Sequence, residues 1–373
     1  METLKNKKVL VSGASFAGLS TAYWMNKFGC KVTIVEVADD LKMGGTPVDI
    51  LGNTVDIAKR MGIFEQIKSN RLNPRIIEFK NADNITEGFM AHDDDEQIDD
   101  DESEIERDIL LKILYNTIKN DVEFVFNDSI TALNETNEEV KVTFKNNPQK
   151  KFDFVFGCDG IHSAVRRLWF GPETDYVHFL QQYFSITIVD KLLIKEDSAQ
   201  LYNVPNKAVM LNTYNNKTDI ILCFRSEKEI PYDYRNEDEQ RNIILEKFAG
   251  ESWRTSELLQ EVQNSKTFYF DKFCQIKMPS WTKGRIALVG DAAYCASPAA
   301  GMGGSLAING AASLADAFEK HDGNFEEAFK EYNISFRPFI EEVQANAVNF
   351  GLEILIPRTE EAIRTRNAEA KQL

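Results

Sequence analysis

Residues 284–304 read GRIALVGDAAYCASPAAGMGG. The apolar run Ile286–Val289 has the length and composition of a buried strand, and it stops at Gly290-Asp291. Beyond Pro298 stand Gly301, Gly303 and Gly304, and a small-residue helix is predicted from Ser305-Leu306-Ala307 onward. A carboxylate at a strand end can accept hydrogen bonds from the hydroxyls of a bound molecule. A glycine-lined helix start leaves backbone amides free to face an electron-rich ring edge. A plain strand, turn and packed helix is the competing reading of this stretch alone.

The chain opens with a second unit of the same kind. Lys8-Val9-Leu10-Val11 predicts a strand, Ser12-Gly13-Ala14-Ser15-Phe16-Ala17-Gly18 a tight turn, and Leu19 to about Phe28 a helix. A second strand, Lys31–Val35, ends at Glu36. This is the βαβ pattern that cradles a dinucleotide, with an acidic residue spaced to hold a ribose. Gly13, Ala14, Ser15 and Gly18 are therefore candidate cofactor contacts, and Ser15 stands where the pattern usually has its middle glycine. A third unit lies between them. Asp153–Phe156 leads into Gly157-Cys158-Asp159-Gly160-Ile161-His162-Ser163-Ala164-Val165-Arg166, an aspartate and glycine at a strand-to-helix turn. An ordinary helix cap is the alternative there.

The order of the three units decides between these readings. GxSxxG near the start, CDGxxSxVR near 160 and GRxALxGDAA near 285 together resemble the class A flavoprotein monooxygenases, the para-hydroxybenzoate hydroxylase type, over roughly residues 5–350. Gly44-Gly45-Thr46-Pro47-Val48-Asp49 and Lys59-Arg60-Met61-Gly62 look most like the tetracycline-inactivating branch. The resemblance implies non-covalently bound FAD, and NAD(P)H as a transient co-substrate without a Rossmann domain of its own. It also implies an oxygen atom passed from O2, through a flavin C4a-hydroperoxide, to an electron-rich carbon of a small aromatic or polyketide-like compound, antibiotics included. No side chain is then expected to be the chemical catalyst, because the flavin does the hard step and the protein orients and shields it.

The same resemblance implies roles for single residues. Glu36 matches the adenosine-ribose carboxylate, Asp291 the aspartate serving the ribityl and pyrophosphate region, and Asp159 the aspartate of the DG motif. Arg107 matches an arginine at a helix start that reaches the flavin, and Lys42 stands where many relatives have arginine, keeping charge but losing the planar fork. Pro298, Gly301, Gly303 and Gly304 complete the cofactor set. Tyr294 replaces the histidine common in GDAAH. Departures elsewhere narrow the chemistry: Trp281 sits in PSWTKG, so the WxWxIP signature of tryptophan halogenases is missing. A non-catalytic flavin-binding ligand or redox sensor, or a flavin reductase or halogenase on the same fold, remains the alternative.

Composition fits these expectations. With 373 residues, 43% of them hydrophobic, the chain is long for one core. The expected fold is α/β: a Rossmann-like FAD-binding domain (1–171 and 278–325, with 70–105 contributing to the substrate side) interleaved with a mostly antiparallel β-sheet substrate domain (172–277). A long C-terminal bridging helix (326–373) completes it. A net charge of −16 argues against nucleic acid or an anionic membrane as partner. The absence of an apolar run long enough to span a bilayer, and a start that leads straight into a strand, predict a cytoplasmic protein, a monomer or weak dimer. Four histidines (92, 162, 178, 321) are scattered and no metal site is expected; the five cysteines (30, 158, 223, 274, 295) show no CxxC spacing.

Within 172–277, Phe184–Val189, Ala208–Asn212, Asp219–Phe224 and Thr267–Phe273 read as strands and Glu237–Phe248 as a helix. Phe184, Met210 and Phe224 are candidate substrate-wall residues, each equally a core residue while the strand faces are unassigned. Residues 92–106, HDDDEQIDDDESEIE, lack the glycine and spacing of a calcium loop and read as a solvated, mobile segment.

Overall fold

The computed structural model describes residues 2–90 and 101–370. Val9, Leu10 and Val11 are buried on both faces of their strand, as a continuous apolar run requires of a central parallel strand. That strand, Lys8–Ser12, lies in the middle of a six-stranded sheet ordered 282–283, 286–288, 154–157, 8–12, 31–35, 123–125. All its pairings are parallel except the 282–283 edge. The helix Phe16–Lys27 covers it and packs against the long helix Gly303–Lys320.

The neighbouring elements approach these two helices closely because the facing residues are small. A Cβ added to Gly290 would stand 2.9 Å from the Cβ of Ala17, and one on Gly304 would stand 2.3 Å from Val48 Cγ1. The strand Val48–Ile50, paired antiparallel with Ser103–Ile105, is thereby pressed onto the start of the Gly303–Lys320 helix.

The second sheet has seven strands, ordered 267–276, 177–189, 217–225, 207–214, 198–204, 76–80, 86–90. Every pairing is antiparallel except 198–204 with 76–80. Alternate residues of a strand point to opposite faces, so each strand serves two environments. On one face Tyr183, Ile220, Leu222, Phe224 and Phe270 pack under the helices Glu237–Phe248 and Thr255–Asn264 through Ile244, Phe248, Leu258 and Val262. On the other, Phe184, Leu201, Ala208, Cys223 and Phe273 meet Leu352 and Ile356 from the C-terminal segment.

That segment is a succession of helices, not a single one: Phe325–Ser335, Arg337–Asn346, a π turn Ala347–Gly351, Leu352–Leu355 and Glu360–Glu369. Pro338 cannot donate to a preceding turn and sits at the start of the second helix, and Pro357 follows the fourth. The tail straps the second sheet: Arg225 Nε donates to the Ile356 carbonyl (2.8 Å) and Asn367 Nδ2 to Glu87 (2.9 Å).

The acidic stretch divides. His92 and residues 93–100 lie outside the described residues. The remainder is not a solvated loop, because its side chains find cations: Asp101 pairs with Lys59 and Lys68, Glu104 with Arg75, and Glu106 with Lys217. Among the described residues no helix is long and apolar enough to cross a membrane.

Candidate active site

Parallel strands deliver their C-terminal ends to one edge of a sheet, and the loops leaving that edge form a crevice. Here the loops after 8–12, 154–157 and 286–288 meet there. Cys158 N donates to Ser12 O (2.8 Å) and Val289 N to Gly157 O (2.9 Å). Gly13, at φ +102°, has the Cys158 carbonyl 2.5 Å from where a Cβ would be. Gly18 is tighter: its Cβ would stand 1.9 Å from Gly13 O, so the helix start is fixed against the turn. Ala14 N donates to Glu36 Oε2 at 2.8 Å, and Ala38 N donates to Oε1 at 3.0 Å. Glu36 therefore lies directly beneath the turn, and Gly13, Ala14, Ser15, Gly18 and Glu36 form one cradle.

Arg107 closes the cradle from the start of the helix Arg107–Ile118. Its guanidinium donates to the carbonyls of Lys42 (2.9 Å) and Gly44 (2.7 Å) and to Ser15 Oγ (3.3 Å), and lies 5.3 Å from the centre of the Phe16 ring. Burial pulls its pKa below the usual arginine value, while Asp108 opposes that pull. Lys42 itself is exposed, its ammonium 5.9 Å from the Tyr269 ring centre.

Asp159 accepts hydrogen bonds from the Ser163 hydroxyl, Ala164 N (2.8 Å) and Val165 N (3.0 Å). Its carboxylate thus caps the helix Ala164–Trp169, and burial raises its pKa against those donors. Asp291 differs. Its side chain is open to solvent although protein surrounds it on most sides, the situation of a residue on the floor of a cleft. That crowding, with the charge of Asp271, pushes its pKa up to about 6, against the Cys295 hydrogen bond and the charge of Arg166. Beyond it, Pro298 opens a short 3-10 turn, Gly301 has φ +66°, and a Cβ on Gly301 or Gly303 would meet nothing within 4 Å. The helix Gly303–Lys320 starts directly after this turn.

Residues 6–347 match the family described as FAD binding domain. The chain belongs to that family, the class A flavin monooxygenases, and is an oxidoreductase. It is 36% identical to a flavin-dependent monooxygenase of Legionella longbeachae over 343 residues, 90% of this chain and 87% of that one. Among solved structures, tetracycline destructase Tet(51) superposes with a TM-score of 0.86 at 33% identity, covering 97% of this chain and 95% of the other. Tet(55) gives 0.84 at 32% identity, covering 99% and 98%.

The seven-stranded sheet sorts the three expected wall residues. Met210 and Phe184 lie on the face turned toward the C-terminal strap; Phe184 is buried there, while Met210, Ile186 and Ile221 are partly open. Phe224 is a correction. It lies on the opposite face, 1% exposed, with Tyr183 stacked on it (centroids 5.3 Å) and Phe248 against its edge. The pairing register places Cys223, not Phe224, directly across from Phe184 and on the same face of the sheet.

The sequence shows Arg166 only as part of the DG motif; fully buried, it donates from Nη1 to the Ala292 carbonyl (2.8 Å) and from Nη2 to Ile161 O, so one guanidinium ties the GD loop to the DG loop. Other residues near the site escaped sequence reasoning. A buried polar group stands at the end of the open sheet face: Tyr214 donates to Asp219 Oδ1 (2.8 Å), beside Asn212 and Arg75. Among the described residues, buried Asp219 Oδ2, Asn212 Oδ1 and Arg75 Nη1 find no hydrogen-bond partner. A lone aspartate in an otherwise apolar strand was the available signal.

Tyr294 has a structural explanation. Its hydroxyl lies 3.1 Å from that of Tyr332, and a Cβ on Gly310 would come within 1.7 Å of it. The phenol fills space that the glycine of the overlying helix leaves. Gly310→Ala should therefore lower stability by about 1–3 kcal/mol through overpacking, and Gly310→Ala/Tyr294→Phe should recover part of that loss. Thermal or urea melts of both variants test the coupling; equal stability of single and double variants would refute it.

Proposed function

We propose that the chain holds FAD non-covalently across the three converging loops and uses NAD(P)H and O2 to hydroxylate a fused-ring, polyketide-like compound of the tetracycline kind. What carries the reading is Asp291, a carboxylate left open on the floor of the crevice where the dinucleotide turn, the DG loop and the glycine-lined helix start meet. Gly13, Ala14, Ser15 and Gly18 would take the pyrophosphate, Glu36 the adenosine ribose, and Asp291 the ribityl hydroxyls. Arg107 and Lys42 add positive charge along the path, and Asp159 holds the DG loop in shape. Bound there, FAD supplies hydride acceptance from a reduced nicotinamide and activation of O2 for transfer to carbon.

The chain's own residues supply orientation, charge and dryness. Amides at Gly301, Gly303 and Gly304 and the helix macrodipole favour negative charge beside them by about 0.3–1 kcal/mol, more where water is excluded. The sheet face opposite is apolar at Phe184, Ile186, Met210 and Ile221 and ends in Asn212, Asp219 and Arg75. Leaving buried polar atoms unpaired costs about 1–3 kcal/mol each, a cost that a ligand edge carrying both donors and acceptors removes. Burial pushes the Asp219 pKa up to about 7, so it can donate or accept near neutrality. An apolar multi-ring body with a keto, hydroxyl or amide edge matches this wall, and the two structural relatives, both tetracycline destructases, support the same class.

The reading is tested with the purified holoprotein by following NADH or NADPH absorbance with tetracyclines, rifamycins or simple phenols. Ligand-stimulated consumption and a product heavier by one oxygen atom are expected; consumption indifferent to every ligand would overturn it. Within the same assay the two sheet faces separate. Phe224→Ala should lower stability by about 3–5 kcal/mol with KM unchanged in the folded protein, whereas Met210→Ala should raise KM with little change in melting temperature.

A further inference from the structure

At the junction of the two sheets a chain of charged groups runs from the buried DG helix to the open cleft. Arg166 Nη2 lies 3.4 Å from Glu173 Oε2. Glu173 Oε1 lies 3.1 Å from His162 Nδ1, and His162 Nε2 lies 3.5 Å from Asp271 Oδ2. Asp271, 4% exposed, accepts from Tyr269 (2.9 Å), from Tyr232 (3.0 Å) and from Lys272 N (2.7 Å). Arg166 and His162 belong to the DG loop and its helix and Glu173 to the short turn that follows, while Asp271 and Tyr269 belong to the strand Thr267–Ile276 of the seven-stranded sheet and Tyr232 to the loop after its strand Lys217–Arg225.

The end of that chain sits in the cleft. Tyr269 is 41% exposed yet hemmed by protein, with Phe184 5.7 Å from its ring and the Lys42 ammonium above it. Nothing but Asp271 fixes the phenol among the hydrogen bonds of the described residues. Resting on the proposed substrate reading, we propose that Tyr269 is a positioning residue of the substrate cleft, aimed by Asp271, which His162 clamps from across the junction.

The clamp's strength depends on charge. Burial alone would depress the His162 pKa, but hydrogen bonds and charge from Asp271 and Glu173 override it and push it to about 9. The other groups around it are Arg166, Lys272 (paired with Glu229), and the stacked ring of Tyr234, itself covered by Arg235. Because the folded value exceeds the ordinary imidazole value, the clamp contributes fully at and below about pH 6.5 and is lost as pH climbs to about 9.

The test uses the FAD-loaded protein and the variants His162→Gln and Tyr269→Phe. Melting temperature is recorded from about pH 6 to 10. The wild type should lose its advantage over His162→Gln progressively across that range. Tetracycline serves as probe, by turnover and by direct binding. At neutral pH both variants should weaken its KM and its dissociation constant about tenfold, the loss of one charge-assisted hydrogen bond, with kcat and FAD affinity near wild type. The wild-type KM should rise toward that of His162→Gln at alkaline pH. A pH-independent stability difference, or tetracycline constants identical to wild type in both variants, overturns the proposal. If the wild type itself ignores tetracycline, the substrate reading has failed, and the melting profiles alone decide the clamp.

Discussion

Asp291→Ala is expected to come through purification nearly colourless and to take up added FAD poorly. The proposed role gives Asp291 two charge-assisted hydrogen bonds to cofactor hydroxyls, worth about 1.5–3 kcal/mol each, so the FAD dissociation constant should rise roughly 100- to 10,000-fold. The fold should survive, since the side chain is exposed in the cleft and makes no cap on the short Asp291–Tyr294 helix. The wild type carries a second signature. Asp291 has its pKa raised to about 6 before the cofactor arrives, and donors from the cofactor favour its anion. Binding must then expel a proton below that pH, and FAD affinity should fall by at most about tenfold per unit as the solution is acidified. Flavin fluorescence titrations at several pH values read both effects. A variant constant within threefold of wild type would show that this carboxylate holds nothing.

Gly18→Ala and Gly303→Ala should separate two kinds of glycine that look alike in the sequence. At Gly18 an added methyl would stand 1.9 Å from a backbone carbonyl, so helix and turn must part. A loss of about 3 kcal/mol is expected, the upper part of the usual overpacking range, with flavin binding lost as a consequence. At Gly303 the methyl meets no protein atom within 4 Å, and the apoprotein should melt as the wild type does. If the helix start faces the flavin ring, Gly303→Ala should nonetheless weaken FAD binding. Apoprotein melts and flavin titrations on both variants give the comparison. Flavin binding by Gly303→Ala equal to that of the wild type would mean that the crevice at Gly303 receives no ligand.

Local chemistry made the first half of this architecture readable. Val9–Val11, Phe154–Phe156 and Ile286–Leu288 are apolar runs each followed by glycine, the last two also by aspartate, and such runs become buried parallel strands whose loops share an edge. The cradle of Gly13, Gly18 and Glu36 follows from short-range spacing alone. What stayed hidden depends on partners distant in the chain. Period-two alternation places Phe224 with Ile220 and Leu222, but only the helices at 237–264 decide that this face is closed. The strands at 76–80 and 86–90 find their sheet more than a hundred residues downstream, at 198–204. Asp219 meets Arg75, and His162 meets Asp271, across comparable gaps. The cavity under Gly310 that admits Tyr294 is likewise a tertiary fact.

Strand 8–12 lies between 154–157 and 31–35, and the neighbour of 154–157 on the far side is 286–288. A growing polypeptide emerges from the ribosome at about 5–20 residues per second, so the first strand waits on the order of 15–55 s before that outer strand exists. During that interval the nascent sheet has a bare, apolar edge. Ribosome-bound chains cut short of residue 286 should therefore recruit holdase chaperones or aggregate, and slowing translation between residues 158 and 286 should lower yield more than slowing it after residue 288.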